Sequence, residues 1–127
     1  MSKLENVVMR FMHCFNSADL EGAMACLAED AVYSDEFATE HRGHAALRAS
    51  LGPILDGSYG QLQYIIEDTL YDEVKQRALV VWTLEIDAQG GAKSRMKGLD
   101  IIHVKDDQVS LKNCYMKSKE ALIETVE

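Results

Sequence analysis

The chain has 127 residues, the length of one domain, and 47% of them are hydrophobic, enough for a core that needs no disulfide or metal to hold it. Thirteen basic against 21 acidic residues give a formal charge of -8, which repels phosphate backbones and anionic lipid and argues against a nucleic-acid or membrane partner. Cys14, Cys26 and Cys114 are widely spaced, form no C-x-x-C pair and leave one over, so each reads as a small buried hydrophobe and not as part of a disulfide framework. The first residues, Met1 to Asn6, carry no apolar signal region, and no apolar run approaches the roughly 20 residues of a bilayer span, so a cytoplasmic location is expected.

In chain order, Leu4, Val7, Val8, Phe11, Met12 and Phe15 recur at the spacing of one helical face, and Ser2 with Glu5 three residues on marks the helix start. Asn16 and Ser17 interrupt this helix. Asp19 is placed to cap a second, shorter one carrying Leu20, Ala23, Met24 and Leu27. Ala31 to Asp35 reads as a short strand, followed by a polar loop to Gly43. A third helix carries Leu47, Leu51, Ile54 and Leu55, with a kink or break expected at Gly52-Pro53.

After Gly57 the period changes to two. Leu62–Leu70, Ala78–Asp87, Lys93–Val104 and Val109–Met116 predict four strands, with turns at Tyr71-Asp72-Glu73, Gln89-Gly90-Gly91 and Asp106-Asp107. Their short links predict an antiparallel meander. One further helical turn or two could follow Ser118. No repeat, linker or low-complexity segment divides the chain, so residues 1–127 read as a single domain.

Several strands are apolar on both faces. Ala78, Val80, Trp82, Leu84 and Ile86 share one face, and Leu79 and Val81 the other; Leu99 and Ile101 likewise oppose Ile102 and Val104. One face must cover the helices, and the simplest cover for the other is a second copy of the chain, so a homodimer is expected.

Asp100 is the clearest chemical signal in the residues themselves. It interrupts Leu99-Asp100-Ile101-Ile102 on the face of Met96, Gly98, Ile102 and Val104, where an unpaired charge is costly. It is expected either to find a partner, such as Arg95 or Lys97 of a neighbouring subunit, or to be held neutral as a hydrogen-bond donor. Glu40-His41-Arg42-Gly43-His44 has two histidines three apart, but no further convincing ligand accompanies them and the run straddles a glycine, so no metal is expected. His13 and His103 stand alone in their elements. No serine sits in a nucleophile elbow, and Gly90-Gly91 has no phosphate-loop pattern.

Asp19-Leu20-Glu21-Gly22-Ala23, Glu29-Asp30-Ala31-Val32-Tyr33, Gly43-His44-Ala45-Ala46-Leu47-Arg48, Lys97-Gly98-Leu99-Asp100-Ile101-Ile102 and Tyr115-Met116-Lys117 together resemble the nuclear transport factor 2-like superfamily, in its SnoaL-like and ketosteroid isomerase-like branch. The resemblance spans nearly the whole chain. It implies an α+β, cystatin-like cone, with N-terminal helices packed on a curved, mainly antiparallel sheet around one apolar pocket. By comparison with ketosteroid isomerases it implies Asp35 as general base and Asp100 as oxyanion donor, with Phe11 standing where that family carries a tyrosine hydroxyl. Tyr33 or Tyr115 could replace that donor. Phe11, Phe15, Tyr33, Phe37, Trp82, Ile102, Tyr115 and Met116 are the expected substrate contacts. The implied activity is cofactor-free proton transfer on a small apolar carbonyl compound, as an isomerase, cyclase or dehydratase. The alternatives are a non-catalytic dimeric ligand-binding protein and a protein-interaction module of the same fold.

Overall fold

Capping residues set the first two helices where the sequence marks them. The structure, a computed structural model, describes residues 1–88, 90–121 and 123–126. Helix α1 (Lys3–Asn16) begins where Ser2 Oγ accepts from the Glu5 amide at 3.2 Å, and it buries Leu4, Val7, Val8, Phe11, Met12, Cys14 and Phe15. Helix α2 (Leu20–Cys26) begins where Asp19 Oδ1 accepts from the Gly22 amide at 2.9 Å. Leu27 both caps α2 and opens strand β1 (Leu27–Ser34), which therefore starts before Ala31.

Two local expectations are corrected here. The loop between Asp35 and Gly43 contains a strand, β2 (Glu40–Arg42), antiparallel to β1 with His41 opposite Tyr33; at 3 residues it is too short to reveal a period. Helix α3 (Gly43–Leu55) runs unbroken through Pro53, which falls in its last turn, and the Asp56 amide still bonds to the Gly52 carbonyl at 2.8 Å.

Strands β3 (Gln61–Asp72), β4 (Arg77–Asp87), β5 (Lys93–Lys105) and β6 (Gln108–Lys117) pair antiparallel in sequence order. Asp106 and Asp107 have φ of 52° and 61°, the left-handed pair that a two-residue hairpin turn requires. Of the turn expected at Gln89-Gly90-Gly91, Gln89 lies outside the described residues, and the Gly91 amide closes it onto the Ala88 carbonyl at 3.1 Å. No helix is present among the described residues after Lys117; Leu122 and Glu127 lie outside them.

The six strands form an open sheet in the order β2-β1-β6-β5-β4-β3, with β1 and β6 parallel. Helix α1 packs across β3 to β6 and α3 against β1, so the core lies between the helices and one sheet face. Ala78, Val80, Trp82, Leu84, Ile102, Val104 and Val109 are buried there. Farther along the same face Ile86, Met96 and Met116 are half-buried, and the helices leave room above them. Leu79, Val81, Leu99 and Ile101 point to the opposite face and are also half-buried, beside the exposed Leu70 and Tyr115.

Gly98 fixes one detail that the site depends on. It lies between Trp82 and Met116 in register, and a Cβ there would stand 2.7 Å from Trp82 Cη2 and nearer still to the Tyr115 carbonyl. The missing side chain lets the indole lie across β5. Gly98→Ala is expected to lower stability by about 1–3 kcal/mol, the usual cost of overpacking. Urea denaturation checks this; an unchanged midpoint would show that the indole is free to move aside.

Candidate functional site

A cavity of about 680 Å³ opens between the sheet, α3 and the segment joining β1 to β2. Phe37, 73% exposed, and Tyr59 stand at its mouth. Leu62, Leu84, Ile86, Met96 and Met116 form apolar walls, and the buried Tyr33, Tyr64, Trp82 and Lys112 form the floor. A second depression of about 670 Å³, at the C-terminal ends of α1 and α3, is lined by Asn16, Ser17, Asp56, Asp87 and glycines. Its Asp56 carboxylate is already engaged by the Ser58 amide and hydroxyl, at 2.8 and 2.5 Å.

The mouth is built by one carboxylate. Asp35 Oδ1 accepts from the Phe37 and Thr39 amides, both at 2.9 Å, and the Asp35 amide donates to the Thr39 carbonyl at 3.0 Å. This Asx-type turn, with Ala38 at φ 63°, reverses the chain and returns β2 alongside β1. His41 then stacks on Tyr33, ring centroids 5.5 Å apart and 29° between planes, with its Nε2 3.0 Å from Asp35 Oδ2. Burial pushes the Asp35 carboxyl up, but His41 and the two amides outweigh it and hold the group below its ordinary range. With Nε2–H given to Asp35, a neutral His41 keeps its lone pair on Nδ1. His44 goes elsewhere, its Nε2 2.9 Å from the Leu27 carbonyl, and no cluster suited to a metal ion occurs among the described residues.

The floor is built by a buried ion pair. Asp100 is fully buried and accepts from Lys112 Nζ and from Trp82 Nε1, each at 3.1 Å. Arg95 or Lys97 of a neighbouring subunit was the expected partner; Asp100 is instead closed off and paired within its own chain, and Arg95 bonds to Glu85 at 3.0 Å. With donors on both oxygens Asp100 is an acceptor, which corrects its reading as a neutral donor. Burial pushes the Lys112 ammonium down, but the Asp100 carboxylate outweighs it and holds the group above its ordinary range. Lys112 Nζ also lies 4.6 Å from the Tyr33 ring centroid. Burial holds the phenols of Tyr33 and Tyr64 well above their ordinary values, so both are neutral donors, and neither bonds to a protein acceptor among the described residues.

Of the residues expected at the site, Asp35, Tyr33, Phe37, Trp82 and Met116 line the cavity. Asp100 lies beneath its floor, so the two aspartates do not meet in one cavity. Phe11, Phe15 and Ile102 are core, where Phe11 packs edge-on to Phe15 at 5.1 Å and Phe15 edge-on to Tyr64 at 5.7 Å. Tyr115 lies on the opposite face with its hydroxyl accepting from Asn113 Nδ2 at 3.1 Å, so it cannot serve the cavity. His41, Tyr64 and Lys112 were not anticipated. Strand parity carried the signal for two of them, since Tyr64 alternates with Leu62, and Lys112 with Cys114 and Met116. All three cysteines are buried and free, their thiols pushed up by burial, that of Cys14 to about 11.

The lowered Asp35 carboxyl has a consequence for stability. Its contribution is present above the unfolded value, near 3.9, and lost as pH falls through the folded value. Thermal unfolding from pH 6 downward should therefore lose stability below about pH 4 in the native protein, and Asp35→Asn should flatten that limb. Parallel profiles for the two proteins would show that the turn does not depend on the charge.

Comparison with known proteins gives the family. Residues 8–111 match the SnoaL-like domain. No curated protein matches the chain in sequence. A candidate polyketide cyclase from Xanthomonas campestris pv. campestris is 18% identical with a TM-score of 0.77 over 89% of each chain. A nuclear transport factor 2-like protein of unknown function from Burkholderia pseudomallei K96243 is 17% identical with a TM-score of 0.78 over 92% of each chain. TerC, co-crystallised with polyporic acid, is 15% identical with a TM-score of 0.77 over 91% of this chain and 92% of its own. At such identities these likenesses carry the fold, which is nuclear transport factor 2-like, and the domain match carries the family: the chain belongs to the SnoaL-like domain family.

Proposed function

We propose that the protein binds a small apolar carbonyl compound and moves a proton on it without a cofactor, in an isomerase, cyclase or dehydratase type of reaction. The observation that carries this reading is the 3.0 Å bond between His41 and Asp35 at the mouth of a cavity with apolar walls and a polar floor. His41 Nδ1 takes the proton from carbon next to the carbonyl, and the C–H electron pair moves onto the carbonyl oxygen as an enolate. Asp35 offsets the imidazolium charge, and the proton returns to a different carbon or to the departing group. A positioned base of this kind contributes about 10²–10⁴-fold. The neutral phenols of Tyr33 and Tyr64 are the candidate donors to the oxygen, the task the resemblance assigns to a hydroxyl at Phe11. In this reading Asp35, which the resemblance implied as the general base, instead positions His41, which takes that task. The descriptions of two structural relatives, one as a candidate polyketide cyclase and one as bound to polyporic acid, fit the same ligand class.

The test is deuterium exchange at the acidic methylene of 2-tetralone in D₂O, followed by proton NMR. The native protein should exceed buffer, and His41→Ala should lose about 10²-fold or more of the acceleration. Binding without exchange would leave only the non-catalytic ligand-binding reading.

The opposite sheet face supports a homodimer. Leu79, Val81, Leu99 and Ile101, with exposed Leu70 and Tyr115, form an apolar surface that a second copy of the chain would cover. Three buried free thiols fit a reducing, cytoplasmic compartment. Sedimentation at micromolar concentration should give a dimer; a stable monomer removes the pairing.

A further inference from the structure

The cavity meets one end of the buried ion pair and not the other. Lys112 and Asp100 side chains are 4% and 0% exposed, and of the two only Lys112 lines the cavity. A ligand on the floor therefore sees the ammonium, with the carboxylate a step behind it. Asp100 cannot swing forward, because its second oxygen is held by Trp82 Nε1 at 3.1 Å, and the indole is seated against Gly98. An ammonium has three N–H bonds. One goes to Asp100 at 3.1 Å, the Tyr33 and Phe15 ring centroids lie 4.6 and 5.6 Å away, and no other protein oxygen or nitrogen accepts from Nζ among the described residues. A donor is left for a ligand. Of the cavity's other ionisable side chains, Asp35 is bonded to His41 at the mouth, and Glu36 lies near enough to Tyr33, Tyr64 and Cys114 for its charge to act on them, which sets a carboxylate opposite the ammonium.

A buried cation with a spare donor discriminates strongly between a neutral oxygen and a charged one, since a charge-assisted hydrogen bond is about twice as strong as a neutral one and burial weakens screening. We propose that Lys112 is a ligand-binding residue that selects compounds carrying an anionic oxygen at their deep end, of the class of cyclic 1,3-dicarbonyl enolates, with Asp100 and Trp82 as its positioning residues. This deepens the proton-transfer reading and rests on it in one respect: an enolate oxygen is what that transfer creates. The Asp100 pairing also keeps the nitrogen protonated, so Lys112 acts as a charge and not as an imine-forming amine.

Calorimetric titration with 5-phenylcyclohexane-1,3-dione, ionised at pH 7, and with the neutral 3-phenylcyclohexanone tests the assignment without turnover. The native protein should bind the dione about tenfold or more tightly than the ketone, the span expected for a hydrogen bond to a charged group. Lys112→Met alone leaves Asp100 buried and unpaired and endangers folding, so the informative protein is Lys112→Met with Asp100→Asn, which keeps an acceptor for Trp82 and buries no charge. Its preference should fall to within about twofold, chiefly through weaker dione binding, by the same accounting for a charged hydrogen bond. His41→Ala should keep the preference. Equal binding of the two compounds by the native protein, binding of neither, retention of the preference in the double variant, or its loss in His41→Ala overturns the assignment. If 2-tetralone exchange is absent while the dione preference holds, proton transfer fails and Lys112 selection stands; the reverse pattern separates them the other way.

Discussion

Two opposite charges almost wholly withdrawn from water hold the centre of this fold. Trp82, Asp100 and Lys112 come from β4, β5 and β6, and their hydrogen bonds tie three neighbouring strands together on one face. Such a pair adds little over well-packed apolar side chains, but leaving one partner alone costs about 3–5 kcal/mol. Its influence is therefore on alternatives. A one-residue slip of β5 would turn Asp100 to the opposite face and strand Lys112 among aromatic rings. The register of the meander, and with it the set of side chains facing the cavity, follows from avoiding that outcome. Gly98 belongs to the same constraint, since the indole reaches Asp100 only by crossing a residue with no side chain.

The mouth of the cavity obeys a local rule instead. Asp35 satisfies two backbone amides with one oxygen and His41 with the other, so the group that shapes the turn also orients the imidazole. Loop geometry and site chemistry are thereby fused. The short β2 depends on this turn for its return path, and His41 reaches Tyr33 only because β2 pairs with β1.

The fold was legible where one segment carries its own pattern. The apolar stripe of α1, the caps at Ser2 and Asp19, and the period-two strands after Gly57 all appear in place. What failed was information held by two segments at once. Asp100 stood out as a charge inside an apolar strand, but its partner depends on how β6 lies beside β5, which no single strand records. Arg95 or Lys97 of a neighbouring subunit fails as a partner because Asp100 lies on the face that the chain's own helices cover, out of reach of another copy. Parity would have excluded Tyr115, since adjacent strand residues point to opposite faces and Met116 lines the cavity. Phe11 and Phe15 show the limit of helical periodicity: the stripe says that a face is buried, but not whether it meets core or cavity. β2 gave no pattern because its 3 residues span barely more than one period.

The indole that completes the central pair has a practical side. Trp82 is the sole tryptophan of the chain, and it is buried, lines the cavity, and donates to a carboxylate that is itself locked to an ammonium. Every photon of tryptophan emission from this protein thus originates at the cavity floor, from one chromophore in one electrostatic setting. The edge-on Tyr64, 5.3 Å from it between ring centroids, stands close enough to pass excitation on. Nature has left the molecule with a built-in optical gauge of its own interior, sensitive to whatever enters the cavity and needing no label.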